Sequence, residues 1–189
     1  MSYTRLKTTA LHESGHLLAA ILNGSIITEV RISNGGGEVV GSHRGHFGMG
    51  VGADHFQSKQ SVLIFLAGPA AVLKLQKYFK GHELMEDVPD CMMFLRMKGW
   101  SIPYPNYSNM DFFLDYSTDA KRFVDHPIRW KMINTLAEML MKKRRVSGQQ
   151  VVKFFEDEAA KLPASDQMEL LFPKDNLGGD QLPYNKHKN

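Results

Sequence analysis

Two histidines and a glutamate near the start of the chain have the types and spacing of a metal-dependent hydrolase. The sequence reads His12-Glu13-Ser14-Gly15-His16, within an apolar-periodic run over 6–22. Histidines four residues apart lie on one face of a helix, about 6 Å apart along its axis, so both imidazoles can reach one metal ion. A glutamate after the first histidine can act as general base toward a water that the metal activates. The pattern predicts a zinc hydrolase, with peptidases as the leading class.

The motif is specific for so short a pattern. Random placement of the chain's histidines and glutamates predicts roughly 0.016 copies of H-E-x-x-H. The alternative is two solvated histidines on an exposed helix face, and the helical context favours the metal site over it. Gly15 adds to this interpretation, because a mid-helix glycine costs about 1 kcal/mol relative to alanine. Its missing side chain would let another element approach the helix beside the metal.

Composition limits the class of protein. The 189 residues fit one domain, and the formal net charge of +3 is too small to indicate nucleic acid or an anionic membrane as partner. The basic cluster at 142–145 is expected near a helix C-terminus, where the dipole favours cations.

Cys91 is the only cysteine, which excludes a disulfide framework and a thiolate zinc site. The longest apolar run, 62–73, is too short to span a bilayer, and no export segment precedes the first helix. We therefore expect a soluble, cytoplasmic protein.

The elements that would position the motif are mainly helical. Periodicity and capping residues predict about six helices, which cover 2–22, 58–78, 86–98, 118–124, 127–143 and 148–161. Ser2 or Thr4 is expected to cap the first of them. Alternation over 26–33, a glycine-rich turn at 34–37 and a return segment at 38–43 predict a small β-ribbon. We assign 1–161 to one domain and expect 162–189, which is rich in Pro, Gly, Asn and Lys, to be a loosely held tail.

A catalytic zinc site needs three protein ligands and an open position for water. Leu22 excludes the extended motif that has a third histidine six residues beyond the second. From the residues alone, the third ligand stays open among Glu38, His43, His46, His55, His82, Glu83, Glu86, Asp87 and Asp90.

Five segments of the chain resemble, in the same order, segments of the FtsH-type zinc peptidases, the proteolytic domains of membrane-anchored AAA+ proteases. TALHESGHL (9–17) is similar to the family's H-E-A-G-H helix, and ITEVRI (27–32) is similar to the strand that follows it. LAGPAA (66–71) is similar to the family's G-G-R-A-A-E helix, and EDV (86–88) is similar to its N-D-L step. LAEML (136–140) with VSGQQV (146–151) is similar to its paired C-terminal helices. The resemblance covers roughly residues 5–160. It implies a zincin-like active-site helix, a Zn²⁺ cofactor and Asp87, 75 residues after His12, as the third ligand.

The chain departs from the family pattern at several positions. Val72 stands where the family has glutamate, Pro69 stands where it has arginine, and the loop over 99–109 has no counterpart. The sequence contains no G-x-x-x-x-G-K-[ST] phosphate loop and no transmembrane anchor. The expectation is a peptidase domain without its own ATPase, which cleaves flexible polypeptides or depends on a separate ATPase or adaptor protein.

The predicted function is a zinc-dependent endopeptidase in which His12, His16 and Asp87 hold the metal and Glu13 is the general base. The alternative is a metal-binding regulatory or interaction module that has the peptidase fold but little or no turnover. A metal-dependent hydrolase of non-peptide substrates is a third hypothesis. We expect His43, His46 and His55 to be loop or cleft residues, one of which could polarise a substrate carbonyl.

Overall fold

The computed structural model describes residues 2–33, 36–42, 55–76 and 110–171. Within these ranges the chain forms six helices and three strands: α1 (Ser2–Leu22), β1 (Ile26–Ser33), β2 (Gly36–Ser42), α2 (His55–Gln76), α3 (Met110–Asp125), α4 (Pro127–Lys143), β3 (Arg145–Ser147), α5 (Gly148–Ala159) and α6 (Ala164–Leu171). The prediction of a mainly helical fold with a small sheet is confirmed. The helix predicted over 86–98 and the loop over 99–109 lie outside the described residues. None of the described helices is both long and apolar enough to cross a membrane.

Helix α1 occupies the centre of the described fold. It packs against α2, α4 and the sheet, and Leu11, Leu17 and Leu18 on it are fully buried. The helix ends where the sequence predicted, because Gly24 adopts a φ of 70° and its N–H donates to the Ile21 carbonyl at 3.0 Å. A left-handed glycine closes the last turn at little steric cost. The chain then enters β1, which contacts α1.

The sheet is antiparallel with the strand order β2-β1-β3. The predicted ribbon of β1 and β2 is present, with Ile32 opposite Gly37. Strand β3 was not predicted, because three residues are too few to show alternation. It is fixed by burial, since its central Val146 is paired with the fully buried Val30 of β1. β1 is therefore the central strand, and β2 is an edge strand among the described strands.

The connection from α4 to β3 has an unusual backbone conformation. Arg144 caps α4 with a φ of 63°, a region that glycine tolerates and other residues enter at a cost of about 1–3 kcal/mol. Two hydrogen bonds hold it there: its N–H donates to the Leu140 carbonyl, and its carbonyl accepts from the Ile32 N–H, both at 2.8 Å. Lys142 and Lys143 lie in the last turn of α4, as the sequence predicted.

The C-terminal segment differs in part from the expected tail. Residues 164–171 form α6, which packs against α4, and its Leu170 is fully buried together with the nearly buried Leu162. The His126 imidazole and the Glu169 carboxylate add a contact of 3.0 Å between the start of α4 and α6. Burial of Leu162 and Leu170 thus adds 162–171 to the packed domain. Residues 172–189 lie outside the described part.

Candidate metal centre

The two histidines of the motif converge on one point. His12 and His16 lie one turn apart on α1, and their Nε2 atoms are 3.0 Å apart. Their rings meet edge to face, with centroids 4.7 Å apart and planes at 77°. Nitrogen ligands about 2.05 Å from a tetrahedral zinc ion are separated by about 3.3 Å. The pair therefore fits a shared zinc ion after a movement of a few tenths of an ångström.

Helix α2 orients the second histidine. The Nδ1 atom of His16 lies 2.7 Å from the backbone carbonyl of Ile64. A carbonyl oxygen only accepts, so in the neutral ring Nδ1 carries the proton and Nε2 presents its lone pair toward His12. A hydrogen bond of this kind fixes the tautomer and the ring orientation of a metal-ligating histidine.

Two glycines allow the close contact between α1 and α2. A Cβ placed on Gly15 would lie 2.3 Å from the Ala67 carbonyl oxygen, and one placed on Gly68 would lie 2.3 Å from Nε2 of His16. Neither distance is possible between non-bonded atoms, so the helices approach this closely only because both residues are glycine. The predicted approach of another element at Gly15 is confirmed. The adjacent Pro69 lies inside α2 and cannot donate a backbone hydrogen bond.

The general-base candidate lies under the edge strand. The Glu13 side chain is 5% exposed, and a Cβ placed on Gly37 of β2 would lie 2.5 Å from its Cγ and 2.7 Å from its Oε1. The turn end of the hairpin thus covers this carboxylate, one residue from the converging imidazoles. The arrangement brings two nitrogen ligands, a carboxylate and the edge of a sheet together.

One candidate for the third ligand is excluded by the fold. Glu38 follows Gly37, and successive residues of a strand point to opposite faces, so Glu38 points away from Glu13. Its carboxylate instead binds the Arg31 guanidinium at 2.6 Å on the exposed face of the sheet. The described residues contain no group of three or more His, Cys, Asp or Glu that could hold a metal. Asp87 and the other candidates lie outside the described side chains.

Val72, which stands where the resembling family has glutamate, is buried in α2. An apolar residue there leaves no acid at that position to join a polar network around the metal ligands. The resemblance therefore depends on the helix motif and on the order of the segments, not on this position.

Sequence reasoning missed three groups that shape the site. The Ile64 carbonyl belongs to the backbone, and no residue pattern indicates which carbonyl a histidine will face. Gly37 was assigned to the turn at 34–37, and Gly68 was given no separate role. In the structure these two glycines leave room for the Glu13 side chain and the His16 ring.

No protein-family model matches this sequence, and no curated protein matches it. The family resemblance therefore remains a prediction from the motifs.

Proposed function

We propose that the protein is a zinc-dependent endopeptidase that cleaves flexible or unfolded polypeptides. The observation that supports this most is the convergence of the His12 and His16 Nε2 atoms, with His16 oriented by the Ile64 carbonyl and with Glu13 beside them. The resemblance of the helix and of four later segments to FtsH-type zinc peptidases supports peptides as the substrate class. Asp87 is proposed as the third ligand on that resemblance.

The residues divide the chemistry between them. Bound zinc would supply a Lewis acid that lowers the pKa of a water molecule to about 7 and polarises the scissile carbonyl. Glu13 accepts the proton of the attacking water and passes it to the leaving amine. Its cover by β2 keeps bulk water from the carboxylate, which strengthens its electrostatic interactions. The hydrogen bond from Nδ1 of His16 to the Ile64 carbonyl keeps the Nε2 lone pair directed at the position that the metal would occupy.

An extended substrate is proposed to pair with the edge of β2. Of the two strands of the ribbon, β1 is hydrogen-bonded on both sides. Strand β2 contacts Glu13 through Gly37 and is an edge strand of the described sheet. Backbone pairing along such an edge binds a chain without demanding a particular sequence, which suits flexible segments as substrates.

Metal analysis tests the ligand set. Purified protein is expected to hold one zinc ion per chain, and His16→Ala and Asp87→Ala are each expected to lose it. Glu38→Ala is the matched control, because its carboxylate lies on the other face of the sheet. Zinc retained by the Asp87 variant would require a different third ligand.

Hydrolysis of unstructured casein tests turnover. The wild type is expected to cleave it, and Glu13→Gln is expected to bind zinc but lose activity, because the amide cannot accept the proton. Equal cleavage by both proteins would contradict the proposed role of Glu13. Stoichiometric zinc without cleavage by either protein would favour the regulatory-module alternative or a required ATPase or adaptor partner.

A further inference from the structure

Unpaired positive charge is concentrated at the end of α4. Most other exposed cations in the described part have carboxylate partners: Lys121 with Asp125, Arg122 with Asp119, Lys153 with Asp157, Lys161 with Glu158, Arg31 with Glu38 and Arg145 with Glu29. Arg5 and Lys131 are also exposed without an ion pair to a described residue, but neither belongs to a run of consecutive cations. The consecutive residues Lys142, Lys143 and Arg144 are exposed and form no ion pair with any described residue. We call these three residues the basic corner.

The helix dipole accounts for only part of this charge. Lys142 and Lys143 lie in the last turn of α4, where cations are favoured. Arg144 lies beyond that turn at a φ of 63°, where glycine would be the better choice for stability. A charged side chain at a position that favours glycine is the kind of local conflict that is expected at functional sites.

The basic corner lies close to the proposed catalytic residues across the sheet. Ile32 of β1 is paired on one side with Gly37, which contacts Glu13, and on the other side donates to the Arg144 carbonyl. Two interstrand spacings separate Gly37 from Arg144, a distance of about 10 Å. A substrate paired with the outer edge of β2 lies one interstrand spacing farther from Arg144, at about 14 Å. An extended peptide covers about 3.3 Å per residue, so a chain that turns across the sheet reaches the basic corner in about five residues.

We propose that the basic corner binds a short acidic stretch of the polypeptide substrate, a few residues from the bond that is cleaved. This inference rests on the proposed peptidase function and adds a substrate preference to it. The partner is a peptide because the three adjacent free cations match a short run of Asp or Glu. The neighbouring Arg31 and Arg145 are neutralised by glutamates, so the basic surface is too narrow for nucleic acid, which requires a wider interface.

Binding is measured with Glu13→Gln protein, without added zinc, by fluorescence anisotropy. The probe is a labelled peptide with a run of about six glutamates, in salt of about 50 mM, where exposed charges are only weakly screened. We expect the glutamate peptide to bind more tightly than the same peptide with glutamines. Replacing Lys142 and Lys143 by alanine should weaken binding at least about fivefold. Lys131→Ala is the control, because Lys131 is an exposed cation on the same helix and forms no ion pair with a described residue.

Arg144→Gly separates a binding role from a structural one. Glycine adopts a φ of 63° without strain, so this variant should unfold at a higher temperature than the parent protein while binding the glutamate peptide more weakly. Arg144→Lys keeps the charge and should restore most of the affinity. Higher stability with unchanged affinity would overturn the proposed role of Arg144.

Three results would overturn the proposal as a whole. These are equal binding of the glutamate and glutamine peptides, an equal loss of affinity in the Lys131 control, and tighter binding of a single-stranded oligonucleotide through the same residues. Failure here is distinguishable from failure of the peptidase function, because peptide binding is measured without zinc or turnover. Casein cleavage by the wild type together with failed peptide binding would leave the peptidase intact and remove only the acidic preference.

Discussion

Helix α2 makes two very different contacts with its neighbours. In its middle, Gly68 lies against the His16 ring and the Ala67 backbone lies against Gly15, with no room for a further side-chain atom at either glycine. At its C-terminal end, the Lys74 ammonium donates to the Val124 carbonyl at 2.8 Å, lies 3.4 Å from an Asp125 oxygen and lies 4.7 Å from the centre of the Trp130 ring. We call these the glycine contact and the lysine contact.

The two contacts differ in the amino-acid substitutions that they tolerate. In the glycine contact, backbone atoms fix the separation of α1 and α2, so any added atom must move a helix or a metal ligand. In the lysine contact, a long and flexible side chain spans the gap, and its loss leaves the helices in place. The glycine contact therefore sets the geometry of the proposed site, whereas the lysine contact contributes stability alone.

Gly15→Ala gives the largest expected effect on stability. Helix propensity alone predicts that alanine stabilises by about 1 kcal/mol. Because the new Cβ would lie 2.3 Å from the Ala67 carbonyl oxygen, we expect instead a loss of about 2–3 kcal/mol in the free energy of unfolding, measured by urea denaturation. Ser14→Ala is the neighbouring control. The Ser14 hydroxyl is buried without a hydrogen-bond partner among the described residues, so its removal should not destabilise. A more stable Gly15→Ala variant would show that the glycine contact can relax.

Gly68→Ala tests the same contact through the metal. The added methyl group would overlap the His16 ring, so zinc affinity should fall about 10–100-fold in a chelator competition. Leu75→Ala, at the exposed end of α2, should leave zinc affinity unchanged. An unchanged zinc affinity in the Gly68 variant would show that the glycine contact does not determine the position of His16 as a ligand.

Lys74→Met should reverse this pattern. Loss of the hydrogen bond, the ion pair and the contact with Trp130 should cost about 1–2 kcal/mol of unfolding free energy without changing zinc affinity. Lys153→Met is the matched control, since its pair with Asp157 is exposed and should contribute at most about 0.5 kcal/mol. Weaker zinc binding in the Lys74 variant would mean that the two contacts are coupled.

The pH dependence of the Asp125 carboxylate, which Lys74 shares with Lys121, gives the smallest expected effect. The hydrogen bond from Lys121 lowers the pKa of the Asp125 carboxyl, partial burial opposes this shift, and Lys74 adds to the lowering. A lowered folded pKa means that the stabilisation is present above the unfolded value of about 3.9 and is lost as the pH falls through the folded value. Wild type should therefore exceed Asp125→Asn in stability at pH 7, and the difference should close below about pH 4. A difference that persists at pH 2 would show that the ion pairs are not its source.

Local signals predicted the elements that depend on neighbouring residues. The end of α1 before Gly24, the start of α4 at Pro127 and the start of α5 after Ser147 occur where the sequence predicted them. In the structure, Ser147 and Gln150 form a capping box at the start of α5. Each of these boundaries is decided within one helical turn by backbone sterics or by a hydrogen bond to a neighbouring residue. Strand β3 and helix α6 were not predicted, because both are short and the burial of Val146 and Leu170 depends on distant partners.

The sequence by itself determined that His12 and His16 share one helix face with Glu13 beside them, because a spacing of four residues fixes that relation on any α-helix. It also determined that glycine stands at 15, 37 and 68. Only the tertiary structure decided what those glycines admit: the Ala67 backbone, the Glu13 carboxylate and the His16 ring. The choice of the Ile64 carbonyl as the partner of His16 was likewise tertiary, since the two residues are 48 positions apart in sequence and meet only when α1 and α2 pack together.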